Sequence, residues 1–152
     1  MLHPSNEICR RVLDLAEDAY RNGETPIGAV VCDGTGKIVS EARNRILERK
    51  DPAAHAELLA IQEACRIIGS ERLPDFTLIT SLEPCIMCSG LILHARIAAV
   101  AFLSSSTRWP GLSHLLDRLG DEINHRPAWR LLTEYEKEAS DMLQAFFEGR
   151  RQ

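Results

Sequence analysis

The sequence predicts a three-layer α/β/α domain, a mixed sheet with helices on both faces. Three observations carry this. Amphipathic stretches of helical period alternate with short apolar runs of strand length. Two of those runs, 27–32 and 37–42, are parted only by the turn Asp33-Gly34-Thr35-Gly36, which makes them an antiparallel hairpin. Two later runs, 76–81 and 97–102, are joined by a helical stretch, which makes them parallel neighbours with a right-handed crossover.

The elements follow in order. Residues 5–22 place Ile8, Val12, Leu15, Ala16 and Ala19 at helical spacing, with Ser5 to cap the start and Gly23 to end it. The hairpin comes next, and the polar segment 43–50 reads as a loop. Asp51-Pro52 has the chemistry of a helix start. That helix runs to about Ile68, with Leu58, Ile61, Ala64, Cys65 and Ile68 on its apolar side and Gly69 as its stop. After the third strand, Glu83-Pro84 opens a helix from Cys85 to about Ala95, with Pro84 at the first helical position. The fourth strand leads into a loop that ends at Trp109-Pro110-Gly111. A short helix over 112–119, a fifth strand over 128–132 and a last helix over 134–148 complete the chain. Ala139, Met142, Leu143, Phe146 and Phe147 make the buried stripe of that last helix.

The chain has 152 residues, enough for one domain over 1–152 with one core. Its net charge of −4 offers no global basic excess for a large nucleic acid, although basic residues cluster at 10–11, 43–50 and 150–151. No apolar run reaches the roughly 18 residues that span a bilayer. The opening Met1-Leu2-His3-Pro4-Ser5 lacks the form of a secretory signal, which points to a cytoplasmic, reducing compartment. Five cysteines, an odd number, fit metal binding or burial better than a disulfide framework. Cys9, Cys32 and Cys65 lie on apolar faces and read as buried small hydrophobes.

His55, Cys85 and Cys88 carry the chemistry. Zinc takes imidazole nitrogen and thiolate sulfur, and three protein ligands with a fourth position left for water define a catalytic site. Cys85 and Cys88 are three apart at a predicted helix start. Both sulfurs can share one face there, and the helix dipole favours thiolates. Glu57 is not needed as a ligand. A carboxylate beside an activated water can take its proton and pass it to a leaving amine. His55 and Glu57, two apart, would point about 200° from each other on a regular helix. They can share a site only if the helix begins near His55, at 53–55, with its tip aimed at the metal. His-x-Glu upstream of Pro-Cys-x-x-Cys is the signature of zinc deaminases.

The chain resembles the cytidine deaminase superfamily, and within it the bacterial tRNA adenosine deaminase and cytosine–guanine deaminase branch. Thr25-Pro26-Ile27-Gly28-Ala29-Val30-Val31, Asn44, Asp51 to Glu57, Thr80 to Gly90, His94-Ala95-Arg96-Ile97, Asn124-His125-Arg126 and Phe146 to Arg151 carry the likeness. It implies a five-stranded sheet between helices, one zinc ion per subunit, and a homodimer. It also implies that Ile27, Asn44 and the Ala56 backbone meet the substrate. The chain departs from the tRNA branch at Leu103 to Leu112. There a charged pair is replaced and Trp109-Pro110 stands instead, with Trp109 able to stack on a base or to pack against the domain or a partner.

The expected function is therefore zinc-dependent hydrolytic deamination, with Glu57 as catalytic acid–base. A small nucleobase or nucleoside of the cytosine, guanine or adenine type is the preferred substrate. The alternatives are the wobble adenosine of a tRNA, and a catalytically silent zinc-binding subunit.

Overall fold

The computed structural model describes residues 3–150, so Met1, Leu2 and Arg151, used above, lie outside the described residues. Eleven main elements follow in chain order. They are α1 (Asn6–Arg21), β1 (Gly28–Cys32), β2 (Ile38–Arg43), α2 (Ile46–Arg49), α3 (Ala56–Ile68), β3 (Thr77–Thr80), α4 (Ile86–His94), β4 (Ala99–Phe102), α5 (Leu112–Leu119), β5 (Ala128–Leu131) and α6 (Glu136–Arg150). The five strands form one sheet in the order β2-β1-β3-β4-β5.

β1 and β2 pair as the expected antiparallel hairpin, and β3 and β4 as the expected parallel pair. β5 extends the parallel set on β4, while β1 meets β3 antiparallel, with Ala29 opposite Thr80. The sheet is thus mixed, with its three parallel strands on one side.

Helices cover both faces because the central strands are apolar on both. Every residue of β1, β3 and β4 is buried. On one face Val30, Ile79 and Ala101 pack against Val12, Leu13 and Leu15 of α1 and Ala139 of α6. On the other, Val31, Leu78 and Val100 pack with Ala60 and Ile61 of α3, Ile92 of α4 and Leu116 of α5. Full burial of one such aliphatic side chain stabilises the fold by about 1.5–3 kcal/mol. α1 lies close enough that a Cβ on Gly28 would sit 2.5 Å from the Val12 carbonyl oxygen and 2.6 Å from Leu15 Cβ. Only glycine fits there.

Four expectations need correction. The segment 43–50 is not all loop, since it contains α2. The buried side of α3 is Ala56, Glu57, Ala60, Ile61 and Ala64, while Leu58 and Cys65 are half-buried and Ile68 is exposed. Alanines at i, i+4 and i+8 make a flat face that lets the helix approach the sheet closely, and that outweighs the larger residues beside them. Pro84 is not the first helical residue, because Cys85 is the N-cap of α4 and Pro84 precedes it. Of the expected stripe of α6 only Ala139 and Phe146 are buried, while Met142, Leu143 and Phe147 are half-buried, with the Arg108 guanidinium 3.9 Å from the Phe147 ring centroid. Cys9 and Cys32 are buried as expected. His125 is held structurally, with Nε2 2.7 Å from the Ile97 carbonyl oxygen.

Candidate active site

The expected helix tip is present. His55 is the N-cap of α3, in extended conformation (φ −75°, ψ 146°), and Ala56 begins the helix. That break in the backbone resolves the spacing problem of His55 and Glu57. Cys85 is likewise an extended N-cap (φ −69°, ψ 175°), at the start of α4, and Cys88 lies in the first turn. Both helices therefore aim their N-termini at one point beyond the carboxyl ends of β3 and β4. Open α/β sheets bind ligands at such strand ends.

The ligand atoms of His55, Cys85 and Cys88 all lie within 4.8 Å of one another, and His55 Nδ1 is 3.6 Å from Cys85 Sγ. The Cys88 thiol donates to Cys85, and with the neighbouring His55 this pulls the Cys85 thiol down to about 4. Cys88 itself is held well above the usual thiol range, by that same bond and by burial. The bond to Cys85 likewise raises His55. Two sulfurs and an imidazole at this separation, one of them already a thiolate, are the donor set of a three-ligand zinc site.

Glu57 is buried, and burial pushes its carboxyl up to about 7. Its Oε1 has no hydrogen-bond partner among the described residues. An unpartnered buried carboxylate oxygen is costly unless something absent from the protein itself completes it. A cation with an activated water beside it would do so, and the residues present fit that group.

Asn44 is buried at the start of the segment that contains α2. Its Oδ1 accepts the Ala56 N–H at 2.7 Å, which covers one of the unpaired donors at the start of α3. Its amide nitrogen donates to no protein group among the described residues, and the residue lines the cleft beside His55 and Glu57. Ile27 lines the same cleft. Ala56 is not among the lining residues, and its N–H is committed to Asn44.

The cleft measures about 550 Å³. Leu143, Gln144 and Phe147 of α6 form one side of it, and that wall sequence reasoning missed. Ser104 to Trp109, in the loop where the sequence leaves the tRNA branch, form another. Trp109 stands at this wall 74% exposed. Glu24 was also missed. It is buried, and its carboxylate accepts the Leu47 and Glu48 N–H groups at 3.1 and 2.8 Å, which secures α2 and the neighbouring cleft residue Ile46. No local pattern announces such a contact, because its partners are more than twenty residues apart. A larger groove of about 680 Å³ lies over Arg43, Arg45 and Arg66, away from the ligand cluster. Those arginines pair with Asp18, Glu48 and Glu63, so the groove is a surface lined by ion pairs.

Comparison with known proteins decides the family. Residues 3–104 match the model of the cytidine and deoxycytidylate deaminase zinc-binding region. The chain belongs to the cytidine and deoxycytidylate deaminase family. It is 40% identical over 137 residues to the tRNA-specific adenosine deaminase of Aquifex aeolicus, covering 90% of this chain and 89% of that one. A solved chain from work on A-to-I editing by tRNA:A34 deaminases superposes with TM-score 0.84 at 30% identity, covering 91% of this chain and 100% of that one. The guanine deaminase of Bacillus subtilis superposes with TM-score 0.64 at 33% identity, over 76% and 70%.

Membership in the deaminase family makes this chain a zinc-dependent hydrolase acting on C–N bonds, and the ligand cluster fits that chemistry. No helix among the described residues is long and apolar enough to cross a membrane.

Proposed function

We propose that this deaminase converts the wobble adenosine of a tRNA to inosine, with water consumed and ammonia released. The observation that carries the reading is the likeness to tRNA-specific adenosine deaminases along nearly the whole chain. The size of the cleft supports it. Sites for drug-sized ligands occupy roughly 300–1,000 Å³, and a bare base needs no more than the bottom of that range. A cleft of about 550 Å³ leaves room for a base with its ribose and flanking groups.

His55, Cys85 and Cys88 hold the zinc. When bound, the ion supplies the Lewis acidity that makes water a nucleophile at neutral pH. Glu57 takes the proton of the attacking water, delivers it to the ring nitrogen beside the reacting carbon, and then serves the departing amine. Burial suits it to this shuttle, because a carboxyl held near neutrality gains and loses a proton readily. Ile27 packs against the base and Asn44 offers its free amide hydrogens to an acceptor on the substrate.

A free base, guanine above all, is the second reading. What favours it is the loop 104–109, where serines and Trp109 stand in place of the charged pair, together with the net charge of −4. We take the active form to be a cytoplasmic homodimer, with Ile86 and Met87, exposed beside Cys85, on the apolar surface available for pairing.

The test is product analysis with the zinc-loaded protein, on an anticodon stem-loop RNA and on free guanine, cytosine and adenine. Inosine in the RNA, with a rate that falls steeply as salt rises, supports the tRNA reading. Ammonia from a free base with no inosine in the RNA replaces it with the second.

A further inference from the structure

Glu83 is buried to 5% exposure two residues before Cys85, and its carboxylate has no ion-pair partner among the described residues. It is satisfied instead by the loop 104–113. Oε1 accepts the Ser106 N–H at 3.2 Å, and Oε2 accepts the Ser113 N–H at 2.8 Å and the Ser113 hydroxyl at 2.5 Å. The Glu83 N–H donates to the Ser104 carbonyl at 2.8 Å, and the Leu112 N–H to the Pro84 carbonyl at 3.1 Å. One side chain thus grips both ends of the loop whose tip carries Thr107, Arg108 and Trp109 in the cleft wall.

Gly111 fits the same arrangement. Its φ of −105° is open to any residue, so backbone conformation is not what demands glycine. Space is: a Cβ there would lie 2.6 Å from Glu83 Cδ and 2.8 Å from Oε2. The loop closes down onto the carboxylate because that position has no side chain.

We propose that Glu83 is a positioning residue, seated on Gly111, that fixes the 104–113 loop as the outer wall of the cleft and thereby sets substrate affinity rather than the chemical step. The inference rests on this cleft being the substrate site, and not on which base it takes.

The test uses two variants that disturb the contact from opposite sides. Glu83→Gln keeps the shape but leaves one acceptor oxygen, which can serve Ser106 or Ser113 but not both. Gly111→Ala keeps every polar group and pushes on the carboxylate. In a Trp129→Phe background Trp109 is the sole tryptophan, because the chain has two, and its time-resolved anisotropy reports the loop without any substrate. Both variants are expected to bind zinc as the parent does and to lower the Trp109 anisotropy. Losing one hydrogen bond to a charged group should raise KM about tenfold, with kcat changed less than about twofold, for whichever substrate the parent turns over. Glu83→Asp, which keeps two acceptor oxygens on a shorter arm, should recover part of the KM. If the RNA reading fails, the anisotropy and the KM for the alternative base still decide the matter. Zinc-loaded variants with unchanged anisotropy and unchanged KM overturn the proposal. So does activity that falls only in step with the unfolded fraction.

Discussion

His55 and Cys85 hold the same position on two different helices: each is the extended residue just before the first turn, and Nδ1 and Sγ are 3.6 Å apart. Two positive helix ends therefore converge where the metal's thiolates must form. Without metal, however, only Cys85 is held as a thiolate, while Cys88 and His55 are both shifted toward keeping their protons.

Zinc takes thiolates and neutral imidazole, so loading must expel the Cys88 proton, and the upward shift of His55 works in the same direction. Higher pH favours any binding that releases protons. Apparent zinc affinity should therefore rise between about pH 6 and 8, as measured by competition with a chromogenic chelator. A flat affinity across that range would refute the assignment of the protons.

Glu57 gives a second pH dependence. Burial raises its carboxyl to about 7 when no cation is present. A bound dication favours the ionised form and moves that value down. The shuttle needs the carboxylate to start, so kcat/KM of the zinc enzyme should fall on the acid side with an apparent pKa below 7, and be level just above it. A decline that begins above neutrality would show that another group governs the step.

Asn44→Ala removes the acceptor for the Ala56 N–H and the amide facing the cleft. Loss of a helix-capping contact costs about 1 kcal/mol. Thermal denaturation should register that, and KM should rise while zinc stays bound. Unchanged KM would leave Asn44 with the capping role alone.

Gly28→Ala tests the fold without touching the site. The new methyl would meet the Val12 carbonyl at 2.5 Å, and overpacking of this kind costs roughly 1–3 kcal/mol. The denaturant midpoint should drop while kcat of the folded fraction holds. A stability equal to the parent would mean that α1 can move away from β1 at no cost.

Much of this was legible in the sequence for physical reasons. Apolar periodicity and turn residues gave the element order, and α5 matches its expected bounds of 112–119. His55 and Glu57, two apart, demanded a helix start near His55, expected at 53–55, and the chain makes His55 the N-cap and Ala56 the first helical residue. What escaped depends on contacts between distant segments. The antiparallel meeting of β1 and β3 has no local mark. Nothing local marks Glu24 or Glu83 as a buried carboxylate, because their backbone partners lie on other segments. The helical period of α6 was legible, but not that Met142, Leu143 and Phe147 would stay half-buried, with Arg108 seated over the Phe147 ring.

Hydrolysis here would need Glu57 to move a proton of the attacking water beside the zinc that His55, Cys85 and Cys88 would hold. The measurement is turnover in water labelled with heavy oxygen, run on the zinc-loaded parent and on zinc-loaded Glu57→Gln. The parent should put one labelled oxygen into each product molecule and release one ammonia. Glu57→Gln should hold the same zinc yet turn over about 10²–10⁴-fold more slowly, the usual worth of a general acid–base. Product without the label, or a zinc-loaded Glu57→Gln as fast as the parent, would contradict the account.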